Sequence, residues 1–141
     1  MSVNVVTHLN FRGDARAALE FYQSVFDGDL TIVTYQDMGN VQDPSEANQV
    51  MWGQVAAGSG FRLMAYDVQV QKSWNRGVNS FYVALRGTTT EEIAGYWEKL
   101  SADATVLQPL EPSQFAPLYG MLTDRFGITW VVDVVSEGSP S

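Results

Sequence analysis

Two stretches of the chain carry the same pattern of apolar and polar positions. Residues 11–33 read FRGDARAALEFYQSVFDGDLTIV, and residues 85–107 read LRGTTTEEIAGYWEKLSADATVL. An offset of 74 residues aligns them without a gap and matches apolar positions with apolar ones: Leu19 with Ile93, Tyr22 with Tyr96, and Phe26 with Leu100. Because similarity at a fixed offset marks a repeated structural unit, we expect one supersecondary unit to occur twice.

The first copy predicts an amphipathic helix from about residue 15 to residue 26. Asp14 is the expected N-cap, and Gly28 is expected to end the helix. Helical spacing of the apolar positions predicts that its buried side consists of Ala15, Ala18, Leu19, Tyr22, Val25 and Phe26.

The second copy predicts a helix over residues 91–100. Thr88 and Glu91 have the spacing of a capping box. Gly95 weakens a helix interior, so we expect another part of the chain to pack closely against it. The expected buried side consists of Ile93, Tyr96, Trp97 and Leu100.

Runs of β-branched and aromatic residues predict the strands, and GSG at 58–60 predicts a hairpin turn between two of them. The polar stretch 37–48 is expected to be a mobile loop. The expected strands cover residues 3–11, 30–35, 49–57 and 61–67 in the first half, and 78–86, 105–110, 119–123 and 128–135 in the second.

The element order βαβββ therefore occurs twice, which predicts an α+β fold. We expect two modules related by a pseudo-twofold, with mixed curved sheets that form a cleft. The expected boundaries are 1–68 for the first module, 69–77 for a linker loop, 78–135 for the second module and 136–141 for a disordered tail.

Composition and charge restrict the classes of partner. The 141 residues are 45% hydrophobic and carry a net charge of −8, which disfavours nucleic acid and anionic membrane surfaces as partners. The chain has no cysteine, so it has neither disulfides nor a thiol nucleophile. No signal peptide and no membrane-spanning run is recognisable, and we expect a cytoplasmic protein.

Four segments resemble a known family: FRGDARAALEFYQSVF at 11–26, GFRLMAYD at 60–67, YWEKLSA at 96–102 and DRFGITWVV at 124–132. They are similar to the PhnB-like branch, also described as 3-demethylubiquinone methyltransferase-like, of the vicinal-oxygen-chelate superfamily. That superfamily includes glyoxalases and extradiol dioxygenases. The resemblance implies the glyoxalase-like two-module fold, and a homodimer that covers open sheet edges.

In metal-dependent members of that superfamily, four side chains, usually His or Glu, project from strands into each cleft. Carried over position by position, the resemblance implies His8, Gln54, Tyr82 (or Ser80) and Val131, with Thr129 and Asp133 on the same face as Val131. Because valine has no donor atom and glutamine is a weak ligand, we expect no bound metal and no other cofactor. The alternative is a divalent metal held by His8, Gln54 and Asp133.

Aromatic and polar side chains at alternating positions are candidates for a small-molecule site. Trp52 and Gln54 are two residues apart on one expected strand, so they project to one face. We expect them to line a ligand-binding cleft together with His8 and Tyr82. His8, the only histidine, is the candidate general acid or base.

The polar linker contains an aromatic and a cationic residue, Trp74 and Arg76. A tryptophan in a polar linker is not explained by core packing. A loop with an aromatic ring and a cation suits a lid, so we expect both residues to close over the ligand. Arg76 would attract an anionic group.

Three functions remain open. The first is binding of a small organic molecule by a glyoxalase-like, PhnB-like protein of unassigned activity, without an intact metal quartet. The second is a metal-dependent lyase, isomerase or dioxygenase with an atypical ligand set. The third is drug or toxin sequestration by a dimer. Whether the protein is an enzyme is open.

Overall fold

The computed structural model describes residues 3–135 of the chain. The chain divides into two compact units, Met1–Gly77 and Val78–Ser141. The expected disordered tail, residues 136–141, lies outside the described residues. In the described part of the chain, no helix is long and apolar enough to cross a membrane.

Each unit has the predicted order βαβββ, with a four-stranded mixed sheet and one helix. The first unit contains β1 (Thr7–Phe11), α1 (Ala15–Phe26), β2 (Asp29–Thr34), a 3-10 turn (Pro44–Glu46), β3 (Val50–Ala56) and β4 (Arg62–Asp67). The second contains β5 (Val83–Gly87), α2 (Thr90–Leu100), β6 (Thr105–Glu111), β7 (Leu118–Thr123) and β8 (Thr129–Val134).

The strand orders in the two sheets are β1-β4-β3-β2 and β5-β8-β7-β6. The first pair in each sheet is parallel and the other pairs are antiparallel. The α+β, glyoxalase-like architecture is thereby confirmed.

The first helix has the predicted bounds, and all six residues predicted to form its buried side are buried. Its ends differ from the prediction. The Asp14 side chain makes no capping hydrogen bond, and Asp27, in the left-handed conformation with φ 53°, ends the helix before Gly28. Gly28 is required for another reason, because a Cβ there would lie 3.0 Å from the carbonyl oxygen of Ala56.

The second helix is less buried than predicted. Ile93 and Leu100 are buried, whereas Tyr96 and Trp97 are only partly covered. Trp97 lies against β7 at Gly120, where a Cβ would come within 2.9 Å of the indole ring. The aromatic residues of this helix therefore cover the edge of the core instead of filling its centre.

Two further predictions for this helix are wrong. Thr89, and not Thr88, is the N-cap, and it makes no side-chain capping hydrogen bond. A Cβ on Gly95 would meet nothing within 4 Å. Close packing therefore does not explain the glycine at position 95.

The offset between the two copies is not constant. At the end of each parallel strand pair, the N–H of Val68 donates to the carbonyl of Phe11, and the N–H of Val135 donates to that of Gly87. Phe11 and Gly87 therefore occupy equivalent positions in the two units. An offset of 74 would instead match Phe11 with Leu85, two residues earlier in the chain. The gapless alignment is right for the helices and wrong for the strands that precede them.

A buried carboxylate joins the elements of the first unit. Asp67, at the end of β4, is 1% exposed. Its Oδ1 accepts from the amides of Gly13 (2.7 Å) and Ala15 (3.1 Å), and its Oδ2 accepts from the amide of Val50 (2.9 Å). The hydroxyl of Tyr35 donates to the Asp67 carbonyl at 2.6 Å, and burial raises the pKa of Tyr35 to about 12. Asp67 thus supplies the cap of α1 that Asp14 was expected to provide.

The loop expected to be mobile is anchored at residue 46. Glu46 is fully buried, and its carboxylate accepts from the side-chain amide of Gln69 at 2.7 Å and from the backbone amide of Val70 at 3.3 Å. A buried carboxylate with these partners is costly to expose, so the loop is bound to the chain after β4.

Residues 69–77, expected to be a linker, belong to the first unit and are called here the edge segment. The guanidinium of Arg12 donates to the carbonyls of Gln69 (3.2 Å) and Lys72. The indole N–H of Trp74 donates to the carbonyl of Asn10 at 3.1 Å. Because the Phe11 carbonyl faces β4 and successive carbonyls alternate, Trp74 binds the free edge of β1.

We expect Asp67→Asn to lower the free energy of unfolding by about 1–3 kcal/mol, because the amide group turns a donor toward backbone N–H groups that need an acceptor. The measurement is urea denaturation. Asp29→Asn is the control, since it removes the same charge from an exposed position. Equal denaturation midpoints for the two variants would contradict the proposed role of Asp67.

We expect Arg12→Gln to accelerate tryptic cleavage after Lys72 and Arg76 by about tenfold. Loss of charge-assisted hydrogen bonds worth about 1.4 kcal/mol raises the fraction of opened edge segment by that factor. Mass spectrometry follows the fragments. Arg62→Gln is the control, since it also removes one exposed arginine. Equal cleavage rates would show that Arg12 does not hold the segment.

Candidate functional site

The sheet of the first unit has one face against α1 and one face directed away from it. Leu9 and Phe11 are buried on the α1 side, and a Cβ on Gly53 would collide with the Leu19 side chain. Since side chains alternate along a strand, the residues between them belong to the other face. We call this the open face, formed by His8, Asn10, Thr31, Val33, Trp52, Gln54, Met64 and Tyr66.

The strand register places the predicted residues of the first unit on adjacent rows of the open face. His8 is opposite Met64, Met64 is opposite Gln54, and Gln54 is opposite Thr31. His8 and Gln54 are therefore two strands apart, with roughly 9–10 Å between their backbones. Trp52 lies one row further along, opposite Val33. The spacing of Trp52 and Gln54 on one strand predicted that they share a face. The pairing of β1 with β4 and of β4 with β3 shows that His8 lies on the same face.

The surroundings of His8 include two residues that sequence reasoning missed. Nδ1 of His8 is 2.9 Å from Oδ1 of Asn10, and the ring packs edge-to-face on Tyr66 with 5.2 Å between centroids. His8 and Asn10 are exposed, and Tyr66 is partly exposed. The signal was available, because Asn10 is two residues after His8 on the same strand.

Trp74 and Arg76 lie at the β1 edge of this face. Trp74 is half-buried and is bound to the carbonyl of Asn10, two residues from His8. The guanidinium carbon of Arg76 is 5.9 Å from the centroid of the Trp74 ring. Arg76 is exposed and forms no ion pair within residues 3–135. An aromatic ring and an unpaired cation thus stand beside the open face.

Tyr82 belongs to the second unit and precedes β5. It is 43% exposed, and its hydroxyl donates to Oδ1 of Asn79 at 3.2 Å. The offset of 74 residues predicts that Tyr82 is the repeat counterpart of His8. That prediction is wrong, since the strand registers make Ala84 the counterpart. The error arose because the sequence similarity of the helices was extended to the strands.

The residues at the positions implied for metal ligands do not fit a divalent metal. His8 and Gln54 supply one good and one weak donor, and Val131 supplies none. Asp133, the alternative ligand, is 8% exposed and already binds Nε of Arg86 at 3.1 Å. Between residues 3 and 135, no group of three or more His, Cys, Asp or Glu side chains could hold a metal ion.

The DRFGITW segment, at 124–130, builds a turn. Asp124 is 4% exposed, and its Oδ1 accepts from the amides of Phe126 (2.9 Å) and Ile128 (3.1 Å). Its Oδ2 accepts from the indole N–H of Trp130 at 2.9 Å, and that indole is fully buried. The segment therefore specifies the β7–β8 hairpin and indicates the fold, not an activity.

Comparison with known proteins gives the same family as these motifs. The chain is similar to the crystal structure of PA1353 from Pseudomonas aeruginosa, with 28% identity and a TM-score of 0.81, over 96% of this chain and 99% of that one. It is also similar to a putative 3-demethylubiquinone-9 3-methyltransferase, PhnB protein, from Bacillus cereus, with 25% identity and a TM-score of 0.75, over 94% and 100% of the chains.

A glyoxylase/bleomycin resistance protein/dioxygenase domain from Frankia sp. EAN1pec shares the fold, with 13% identity and a TM-score of 0.62, over 96% and 98% of the chains. The family model described as 3-demethylubiquinone-9 3-methyltransferase matches residues 3–133. Since that match spans almost all of the described residues, the chain belongs to this family, the PhnB-like branch of the vicinal-oxygen-chelate superfamily.

Proposed function

We propose that the protein binds a small planar organic molecule on the open face of the first unit. The observation that carries this proposal is the placement of His8, Trp52 and Gln54 on one sheet face that α1 does not cover, with Trp74 bound at its edge. Aromatic surface with a few convergent polar groups is typical of small-molecule sites.

Each group on this face has a distinct role in the proposed site. The rings of Trp52, Tyr66 and Trp74 offer surfaces on which a planar ligand stacks. The Gln54 amide offers one donor group and one acceptor group for hydrogen bonds that orient the ligand. The free guanidinium of Arg76 suits an anionic substituent at the β1 edge.

A metal-dependent lyase, isomerase or dioxygenase is the second candidate, and the donor set disfavours it. Elemental analysis of protein purified without chelator separates the two candidates. We propose that the chain retains no stoichiometric zinc, nickel or iron. One metal per chain, lost in His8→Ala, would favour the metal-dependent reaction instead.

The family description names a methyltransferase, and the glycine-rich segment bears on that activity. A nucleoside-type methyl donor is commonly bound by a glycine-rich turn between a strand and a helix. Here GSG at 58–60 forms the β3–β4 hairpin, with the N–H of Ala57 donating to the carbonyl of Phe61, and a strand follows it. This favours ligand binding over methyl transfer as the proposed role.

We further propose that the protein is a homodimer. In the second unit, β6 is an edge strand, with Val106 46% and Leu107 52% exposed, and Phe115 in the following loop is 68% exposed. An edge strand with exposed apolar side chains is favourable to cover with a second copy. Sequestration of a drug or toxin by a dimer is the third candidate, and it requires this association.

We expect Trp74→Ala to weaken binding of any ligand found by ligand-observed NMR screening by about 1–3 kcal/mol, because a stacked aromatic ring contributes on that scale. His8→Ala should also weaken it. Phe81→Ala is the control, since Phe81 is an exposed aromatic residue of the second unit. If neither Trp74→Ala nor His8→Ala changes the affinity, the ligand binds elsewhere.

We expect sedimentation velocity at micromolar concentration to give a dimer, and Leu107→Asp to shift it toward monomer, because a charge on the β6 edge must be desolvated on association. Val78→Asp adds the same charge at an 88% exposed valine outside β6 and should leave the dimer intact. A wild-type monomer, or equal behaviour of the two variants, would contradict association through β6.

A further inference from the structure

The contact between His8 and Asn10 pairs a ring nitrogen with an amide oxygen. Nδ1 of His8 is 2.9 Å from Oδ1 of Asn10. An amide oxygen only accepts hydrogen bonds, so the neutral ring satisfies this contact when Nδ1 carries the proton. Nε2 then bears the lone pair. In water, free neutral histidine prefers the opposite tautomer, with the proton on Nε2, so an Nδ1 that donates to Asn10 requires the less favoured form.

We infer that Asn10 is a positioning residue, which holds neutral His8 in the Nδ1–H tautomer and presents Nε2 as a hydrogen-bond acceptor on the open face. The edge-to-face packing on Tyr66 restricts the ring from a second side. Among residues 3–135, Nε2 has no hydrogen-bond partner, and His8 is exposed. The nitrogen is therefore available to a ligand.

This arrangement specifies part of the ligand's chemistry, and that step rests on the function proposed above. An imidazole nitrogen with a lone pair recognises an O–H or N–H group and disfavours a carbonyl or ether oxygen at the same place. The ligand class is thus a small planar molecule with a hydroxyl or N–H donor beside its ring. A phenol is the simplest representative.

The side chain of Asn10 is separable from the fold. It is exposed, and the contact between Asn10 and Trp74 uses the backbone carbonyl, which remains in Asn10→Ala. Asn10→Ala therefore removes the acceptor for His8 Nδ1 without releasing the edge segment. Asn10→Asp keeps an oxygen acceptor at the same place.

The test is the tautomer of His8 in the free protein, read from long-range ¹H–¹⁵N NMR spectra of the imidazole ring at a pH where the ring is neutral. His8 is the only histidine, so the ring signals are unambiguous. We expect a protonated Nδ1 and an unprotonated Nε2 in the wild type, a shift toward the Nε2–H form in Asn10→Ala, and recovery in Asn10→Asp. Asn48→Ala, at another exposed asparagine, should leave the spectrum unchanged.

A predominant Nε2–H form in the wild type, or a tautomer ratio that Asn10→Ala leaves unchanged, would overturn the inference about Asn10. The ligand step is tested with phenol and its O-methylated analogue, anisole. Phenol should move the Nε2 resonance, whereas anisole should contact the aromatic residues without moving it. If both compounds bind and neither shifts the Nε2 resonance, the inference that Nε2 recognises an O–H or N–H group is wrong, while binding on the open face is supported. If neither contacts the face, the proposed function fails while the tautomer result stands.

Discussion

The first unit depends on one buried carboxylate, that of Asp67. Its two oxygens accept hydrogen bonds from three backbone N–H groups. These belong to Gly13 in the turn before α1, Ala15 at the start of α1 and Val50 at the start of β3. A buried carboxylate is stable only when such donors surround it, and the donors in turn need an acceptor. The interaction therefore holds α1 against one face of the sheet. The opposite face of the sheet is not covered by α1, and the proposed site lies on that face.

The second unit repeats the topology without this interaction. The residue opposite Gly87 on β8 is Val134, at the place where Asp67 lies opposite Phe11 in the first unit. Its helix begins without a side-chain cap and buries few residues, and its β7–β8 hairpin is held by a different carboxylate, that of Asp124. The two copies thus share an architecture and differ in chemistry. The open face of the first unit holds the only histidine, whereas its counterpart position in the second unit is Ala84.

The family motifs and the proposed site overlap only in the 60–67 segment, which contributes Met64 and Tyr66 to the open face. Arg12, Asp67 and Asp124 lie in the segments that carry the family resemblance, and each binds backbone groups of its own unit. They stabilise the fold of their own unit, and they do not specify a ligand. The proposed ligand specificity rests instead on side chains such as Asn10, whose amide group hydrogen-bonds only to His8 within residues 3–135.

The sequence by itself determined the element order and the buried side of α1, because helical periodicity is a local property that each residue reports separately. It also indicated that Trp52 and Gln54 share a face. Only the tertiary structure decided the cap of α1, since Asp67 lies 54 residues from Gly13 and nothing local links them. It also decided the counterpart of His8, because hydrogen bonds to a distant partner strand set a strand's register, which similarity between helices cannot predict.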